Sequence, residues 1–386
     1  MIERDIAPWV QKNATWFPVL SITGPRQSGK STLVRALFSD YQYVNLEDPG
    51  TLAMALDDPV GFIRNKPSRL VIDEAQLAPE LFNMIQVVSD EVGTPGQYVL
   101  SGSQNFLLLK QVTQSLAGRV ALLKLLPFSY KELNQANQRV ELHDFICRGG
   151  YPRLYDVGIP PEVYYENYLE TYITRDASGY VDPRNLGLFR SFIVACATNC
   201  SNLLNLTGLA NDVGVSVPTA RSWLSMLEAS YVVFLLQPYH ANLRKRLTKT
   251  PKLYFYDTGL LCHLLGIHTA DQMMASKQRG AIFEDLVIEE TVKRHLNAGR
   301  QPQLFFYRDD SKIEVDLVDM TDASAPELVE IKSSATYRPA FARHLSHVGE
   351  LLGVDTSGQS IVMDASETTV VNGRKVWSMT DWLLRS

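Results

Sequence analysis

The sequence predicts an α/β protein in three parts: a parallel-sheet domain first, a helical middle, and a second α/β domain at the end. Three observations carry that expectation. "FPVLSITGPRQSGKSTLVRALF" reads as an apolar strand, a glycine-bounded loop and a helix. From about Lys131 the pattern turns helical and includes a pair of helices broken at Gly214. The last third alternates helix, three strands, helix and strand, with acidic residues among the strands. The expected boundaries are 1–130, 131–268 and 269–386.

A chain of 386 residues accommodates two to three domains at roughly 100–200 residues each. No run approaches the roughly 18–20 apolar residues of a membrane span. "MIERDIAPWVQKN" has charges and no apolar signal core, so the expectation is a soluble cytoplasmic protein with no membrane partner. The net charge of −5 means that any nucleic-acid binding must use a local basic patch. Cys196 and Cys200 sit four apart in a helical run with no further ligands grouped near them. They read as small buried residues rather than a metal site, and the cysteine usage fits a reducing compartment.

Gly24, Pro25, Arg26, Gln27, Ser28, Gly29, Lys30 and Ser31 fit G-x-x-x-x-G-K-[ST] at every fixed position. In this loop the backbone N–H groups turn inward around phosphates, and glycine permits the turn. Lys30 would reach the β- and γ-phosphates of ATP, and the Ser31 hydroxyl would bind Mg²⁺. The helix that opens at Lys30, with Thr32 in its first turn, adds a positive dipole end.

A P-loop needs an acidic partner at a strand end, and "SRLVIDEAQ" supplies it. Asp73 would hold Mg²⁺, and Glu74 would orient or deprotonate the attacking water. The third strand, "GQYVLSGSQNFLL", ends in polar residues. Ligands of parallel sheets sit outside the carboxyl ends of the strands, so Ser103, Gln104 or Asn105 would face the γ-phosphate. Arg119 in "SLAGR" is a candidate arginine finger, in cis or from a neighbouring subunit; a structural ion pair is the plainer use. Glu47 and Asp48 end another strand, with no role assigned.

These motifs resemble the AAA+-type P-loop ATPases of bacteria and archaea that carry a C-terminal domain of nuclease-like fold. The resemblance rests on "GPRQSGKSTL", "LVIDEAQ", "VLSGSQNFLL", "SLAGR", "PFSYKEL", "RGGYP", "TYITRD", "PKLYFYDTGL" and "VEIKSS", and it covers nearly the whole chain. The role of that family is mostly uncharacterised, so the resemblance implies parts rather than a pathway. Because AAA+ modules often assemble into rings, it also leaves a homo-oligomer open.

Within the middle, Arg148 or Arg153 beside "GGYP" is a candidate second phosphate sensor, against surface salt bridges. Leu206 to Val213 reads as a helix, Gly214 as a break, and Ser216 as the N-cap of a second helix with Pro218 in its first turn. "YVVFLLQPY" follows as a strand. Helix-turn-helix followed by strands is a winged-helix plan. The expected wing, "HANLRKRLTKTPKLYFYD", carries Arg244, Lys245, Arg246, Lys249 and Lys252. Such a patch can bind DNA phosphates, and Thr219 and Arg221 would face a groove. The other reading is a winged helix used for protein packing.

In the last third, "RGAIFEDLVIEETVKRHL" is an amphipathic helix carrying Glu284. A hairpin, the strand "PELVEIKSS", a helix and the strand "QSIVMD" follow. This is the core order of restriction-endonuclease-like folds. Strand period two puts Glu330 and Lys332 on one face. Asp316 and Glu330 could ligate Mg²⁺ or Mn²⁺ through hard oxygens, with Glu284 completing the shell. Lys332 could orient water or stabilise the phosphate in its transition state. Asp316, Glu330 and Lys332 match the D…E-x-K pattern of that nuclease superfamily.

The resulting expectation is an Mg²⁺-dependent ATPase that couples ATP binding and hydrolysis to DNA binding or processing, with a metal-dependent nuclease domain. The alternative is an ATP-driven regulatory switch that binds proteins, its nuclease-like domain an inactive scaffold.

Overall fold

A computed structural model describes residues 2–102, 115–136, 138, 140–173, 181–239 and 249–385. The chain divides into two compact units. The first holds residues 1–128, 229–231 and 296–299; the second holds 129–228, 232–295 and 300–386.

The first unit is built on a five-stranded sheet of β1 (Val19–Thr23), β2 (Gln42–Asn45), β3 (Leu70–Asp73), β4 (Tyr98–Gly102) and β5 (Val120–Lys124). All pairings are parallel, in the order β2-β3-β4-β1-β5. The three central strands are buried at every residue, whereas β2 and β5 at the edges are not. Continuous apolar runs are what a parallel sheet covered on both faces requires. Successive side chains go to opposite faces. Leu70, Ile72 and Leu100 join Phe62, Phe82 and Ile85 on one side. Leu20, Ile22, Val71 and Val99 join Val10, Leu33 and Val34 on the other. Asp48, which had no assigned role, caps the helix Pro49–Asp57 by accepting from the Thr51 N–H at 2.8 Å.

The second unit carries an eight-stranded sheet. Its strands are β6 (Val233–Pro238), β7 (Lys252–Phe255), β8 (Leu304–Arg308), β9 (Glu314–Asp319), β10 (Glu327–Lys332), β11 (Gln359–Met363), β12 (Thr369–Val371) and β13 (Arg374–Ser378). The order is β12-β13-β11-β10-β9-β8-β6-β7. β8, β9 and β10 form an antiparallel meander, and β11 lies parallel to β10. The helix Arg279–Asn297 precedes the meander. The helix Arg343–Leu352 connects β10 to β11 and buries Leu345 and Val348 against the sheet. The order of helix, three strands, helix and strand is therefore observed, and β12 and β13 extend it. Asn372 (φ 51°) and Gly373 (φ 77°) turn that last hairpin. An Asn-Gly pair between β-forming residues is a strong local hairpin signal.

Both helices of the expected helix-turn-helix are present, Leu206–Val213 and Val217–Ala229, with Gly214 in a left-handed cap. The strands after them form an antiparallel hairpin, β6 with β7. This hairpin does not stand apart as a wing: β6 pairs in parallel with β8 at Gln237↔Phe305 and so continues the large sheet. Residues 131–268 and 269–386, expected as separate domains, both fall in the second compact unit apart from 229–231 and 296–299. The motif "RGGYP" meets "YFYDTGL" inside it. Asp257 accepts from the Gly150 N–H at 2.7 Å, the Tyr165 hydroxyl at 2.6 Å and the Leu260 N–H at 2.9 Å. A Cβ on Gly149 (φ +74°) would fall 2.4 Å from the Asp257 carboxylate. These motifs therefore have a packing reason to exist.

Candidate functional site

Two clusters of chemistry-bearing residues stand out, one in each unit. The first lies at the carboxyl end of β1, where the loop Gly24–Gly29 leads into the helix Lys30–Leu37. Gly24 (φ +153°) has no room for a side chain, because a Cβ would sit 2.0 Å from the Leu125 carbonyl oxygen. Gly29 (φ +93°) and Gln27 (φ +60°) are left-handed as well. Lys30 is buried at the start of the helix, and its Nζ donates to the Gly24 oxygen at 3.0 Å and the Pro25 oxygen at 2.7 Å. Ser31 and Thr32 are exposed in the first turn, where helix N–H groups lack intrahelical partners.

Asp73 ends β3 in register with Ser101 of β4 and Asn45 of β2. It accepts from Ser101 Oγ at 2.5 Å, from the Glu74 N–H at 3.2 Å, and from the hydroxyls of Ser31 and Tyr43. Burial would push this carboxyl up, but those hydrogen bonds outweigh it and hold Asp73 below the ordinary range. Burial and the Asp73 carboxylate push the Tyr43 phenol up to about 12. Glu74 follows at φ +53°, a left-handed conformation uncommon outside glycine, and Gln76 Nε2 donates to its carboxylate. The structure thus joins Lys30, Ser31, Asp73 and Glu74. Ser103, Gln104 and Asn105 lie outside the described residues.

Sequence reasoning missed Arg4. Its buried guanidinium donates to the Ser28 oxygen at 3.0 Å and the Leu126 oxygen at 2.7 Å, and lies over the Phe128 ring. It braces the loop from behind. Nothing in the spacing of an N-terminal "IERD" signals that.

The cis role for Arg119 is overturned. It immediately precedes β5, whose first residue pairs with Val19, while the phosphate loop follows Thr23 at the other end of β1. Its guanidinium forms a fork with Asp90, at 2.5 and 2.9 Å. Arg148 lies over the Tyr155 ring in the second unit. Thr219 is half-buried and its hydroxyl engages Ser216 Oγ at 2.7 Å, so it closes a helix cap rather than facing a groove. Arg221 is exposed; Arg244, Lys245 and Arg246 lie outside the described residues.

The second cluster gathers Asp316 of β9, Glu330 and Lys332 of β10, and Glu284 of the covering helix. Lys332 Nζ lies 2.6 Å from Glu330 Oε1 and 3.6 Å from Asp316 Oδ2, and Asp316 also accepts from the Ile331 N–H at 2.8 Å. Burial and the neighbouring Asp316 charge push the Glu330 carboxyl up to about 8, against the pull of Lys332. Glu330 Oε2 is buried with no hydrogen-bond partner. The structure adds Lys252 of β7, whose Nζ lies 2.9 Å from Glu284 and 2.6 Å from Glu314. Tyr254 donates to Glu284 at 2.6 Å. Burial pushes Glu284 up to about 7 even beside Lys252.

The expected three-carboxylate metal shell is therefore not what the structure assembles. Among the described residues, no group of three or more acidic, His or Cys side chains is arranged to hold a metal ion. Lys252 draws Glu284 toward Glu314, and Lys332 occupies the approach between Asp316 and Glu330.

Comparison with known proteins divides the chain into three segments. Residues 17–134 match a family described as an AAA domain. Residues 139–271 and 279–382 match two domains of unknown function, DUF8612 and DUF4143. An uncharacterized protein of Mycobacterium tuberculosis is 30% identical over 348 residues, spanning 89% of this chain and 76% of the relative. The chain belongs to that family. An uncharacterized protein of Methanocaldococcus jannaschii is 24% identical over 327 residues, 76% of this chain and 70% of its own length. Among solved structures, a Walker-type ATPase of Pyrococcus abyssi aligns at 14% identity with a TM-score of 0.45, covering 69% of this chain and 96% of that one.

The first unit of this family member is a P-loop ATPase domain. Such domains take a nucleotide and usually Mg²⁺, which Lys30, Ser31 and Asp73 would hold; the pairing of the Ser31 hydroxyl with the Asp73 carboxylate suits a hard cation. Among the described residues no helix is long and apolar enough to cross a membrane. Cys147, Cys196, Cys200 and Cys262 are buried free thiols.

Beside the second cluster, Asp285 accepts from the Phe255 N–H at 2.7 Å and from the Cys200 thiol at 3.3 Å. Burial pushes its carboxyl from 3.8 up to about 8. Folding therefore takes up a proton between those values. The stability this confers is full below about pH 4 and is lost as pH rises through about 8. Asp285→Asn should flatten the fall in melting temperature between about pH 5 and 8; parallel profiles for variant and wild type would refute the assignment.

Proposed function

We propose that this chain is an Mg²⁺-dependent ATP hydrolase that couples nucleotide turnover to DNA binding or processing by its second unit. The observation that carries the DNA half is the convergence of Asp316, Glu330 and Lys332 on adjacent strands, with Glu284 on the covering helix near enough to interact with both acids. Glu284 is held by Lys252, so a divalent cation would have to draw Asp316 and Glu330 from Lys332, and the unpartnered Glu330 Oε2 suits that use. A bound cation would neutralise charge on a DNA phosphate. Lys332 would orient water beside it. In the first unit, Lys30 would stabilise charge on the transferring phosphoryl group and Glu74 would position the attacking water. DNA contact would come from Arg221 and the Arg244, Lys245 and Arg246 patch.

A second reading has its own support. Lys252 and Lys332 already compensate the acids of the cluster, as an inactive scaffold in a nucleotide-driven protein switch would need. One experiment separates the two. Single- and double-stranded DNA is incubated with the protein and Mg²⁺ or Mn²⁺, with and without ATP, beside a Glu330→Ala/Lys332→Ala variant. Cleavage by the wild type alone supports a nuclease. ATP turnover with no cleavage and no response to DNA supports the switch.

A further inference from the structure

A pocket of about 510 Å³ opens in the second unit beside the end of the helix Arg279–Asn297, the end of β9 and the C-terminal Arg385. Its volume falls in the range of small-ligand sites. Its wall carries three arginines among four carboxylates, and two of the arginines are unusually placed. The Arg294 side chain is only 18% exposed, yet the nearest carboxylate oxygen, on Asp319, is 3.8 Å away. No hydrogen bond from this guanidinium is made within the described residues; its other contact is the Trp382 ring, at 5.4 Å. Five N–H donors thus line the pocket with no protein acceptor within hydrogen-bond distance, on a group that cannot deprotonate at neutral pH.

Arg385 repeats the pattern. It forks onto Glu327 at 3.1 and 2.8 Å and lies over the Trp382 ring, but its Nε is buried and unpartnered. Burial first, and then the neighbouring charges of Arg385 and Arg300, pull the Arg294 guanidinium down to about 10, against the opposing pull of Glu327 and Asp319. The cations therefore sit close enough to repel one another.

The pocket's acids answer this demand only in part, because each is also engaged locally. Asp319 accepts from His295 at 2.6 Å and from the Thr321 N–H at 2.9 Å. Glu327 is taken by Arg385. Asp322 is capped by Ser324, and Asp355 by Ser357 and Gly358. Asp322 and Asp355 lie at the solvated rim, where their charge is screened.

We propose that this pocket binds a phosphomonoester, with Arg294 as its principal donor, Arg300 at the rim and Arg385 Nε behind. A phosphate dianion brings three acceptor oxygens and enough charge to offset adjacent guanidiniums, which a single carboxylate does not. The phosphate belongs either to a free small molecule or to the end of a nucleic-acid strand.

The test is calorimetric titration of the full chain, carrying Lys30→Ala to weaken the P-loop, with AMP, adenosine, and 5′-phosphorylated or 5′-hydroxyl oligonucleotide. AMP binding in excess of adenosine, weakened about tenfold or more by Arg294→Gln, identifies a free ligand. The same loss seen only with the 5′-phosphorylated strand identifies a strand end. No phosphate-dependent binding in any arm, or binding indifferent to Arg294→Gln, overturns the proposal. Arg300→Ala, at an exposed residue, guards against misfolding of the first variant. It should weaken binding about threefold at an unchanged melting temperature; an unchanged affinity overturns the role of the pocket. None of these outcomes depends on whether the Glu330 cluster cleaves DNA.

Discussion

Lys30→Ala is expected to lower ATP turnover by about a hundredfold or more, the scale seen when a fixed charge on a transition state is removed. Lys30 is held at the first residue of its helix, and its ammonium caps the loop carbonyls of Gly24 and Pro25. That position aims a buried cation at the space the loop encloses, and no other side chain of the loop supplies a lysine. The loop itself should survive the change. Gly24 is locked against Leu125, and Arg4 holds Ser28 from behind. The effect should therefore fall on turnover while the melting temperature stays close to the wild type. Phosphate release at saturating ATP checks this. A variant that keeps more than about half of the wild-type rate would remove Lys30 from the chemistry.

Lys252→Ala should be the most damaging single change in the second unit, costing about 3–5 kcal/mol near pH 8. The Lys252 side chain is 4% exposed, and its ammonium bridges Glu284 and Glu314. Burial alone would lower its affinity for a proton, but the surrounding carboxylates more than reverse that and raise it. Without it, Glu314 keeps Arg308, but Glu284 stays buried with only the Tyr254 hydroxyl beside it. Glu284 can escape only by taking up a proton, so the loss should shrink as pH falls toward about 5. Adding Glu284→Gln should restore part of the stability, since an amide needs no counter-ion. Urea unfolding at pH 5 and pH 8 measures all three. A loss under about 1 kcal/mol at pH 8 would mean that water already reaches this pair and screens it.

The nucleotide site was legible because its chemistry is local. A phosphate loop is a few consecutive residues whose glycines, lysine and serine act through their own backbone and the helix that follows. Asp73 and Glu74 were legible for a related reason: a short apolar strand ending in acid has few places to go beside a P-loop. The acid and lysine of "VEIKSS" were placed on one face by the period of a strand alone. The Asn372-Gly373 hairpin carried an equally local signal, though the expectation stopped at "QSIVMD".

Other features depend on which strand lies beside which. Arg119 looked available until the parallel register of β1 and β5 put it at the far end from the phosphate loop. Lys252 read as one more basic residue of a surface wing. The sheet instead carries β7 to where Glu284 and Glu314 converge, and there the lysine takes up Glu284, one of the expected metal ligands. Arg4 braces a loop far along the chain, and Arg294 meets a pocket wall built from β9 and the C-terminus. The phosphate loop, the Asp-Glu pair and the same-face acid and lysine follow from the residues alone, because chain neighbours and strand period set those geometries. Which charges neutralise one another and which remain unanswered follows from packing. Those contacts join residues that the chain separates and burial brings together, where the loss of water makes each pairing matter.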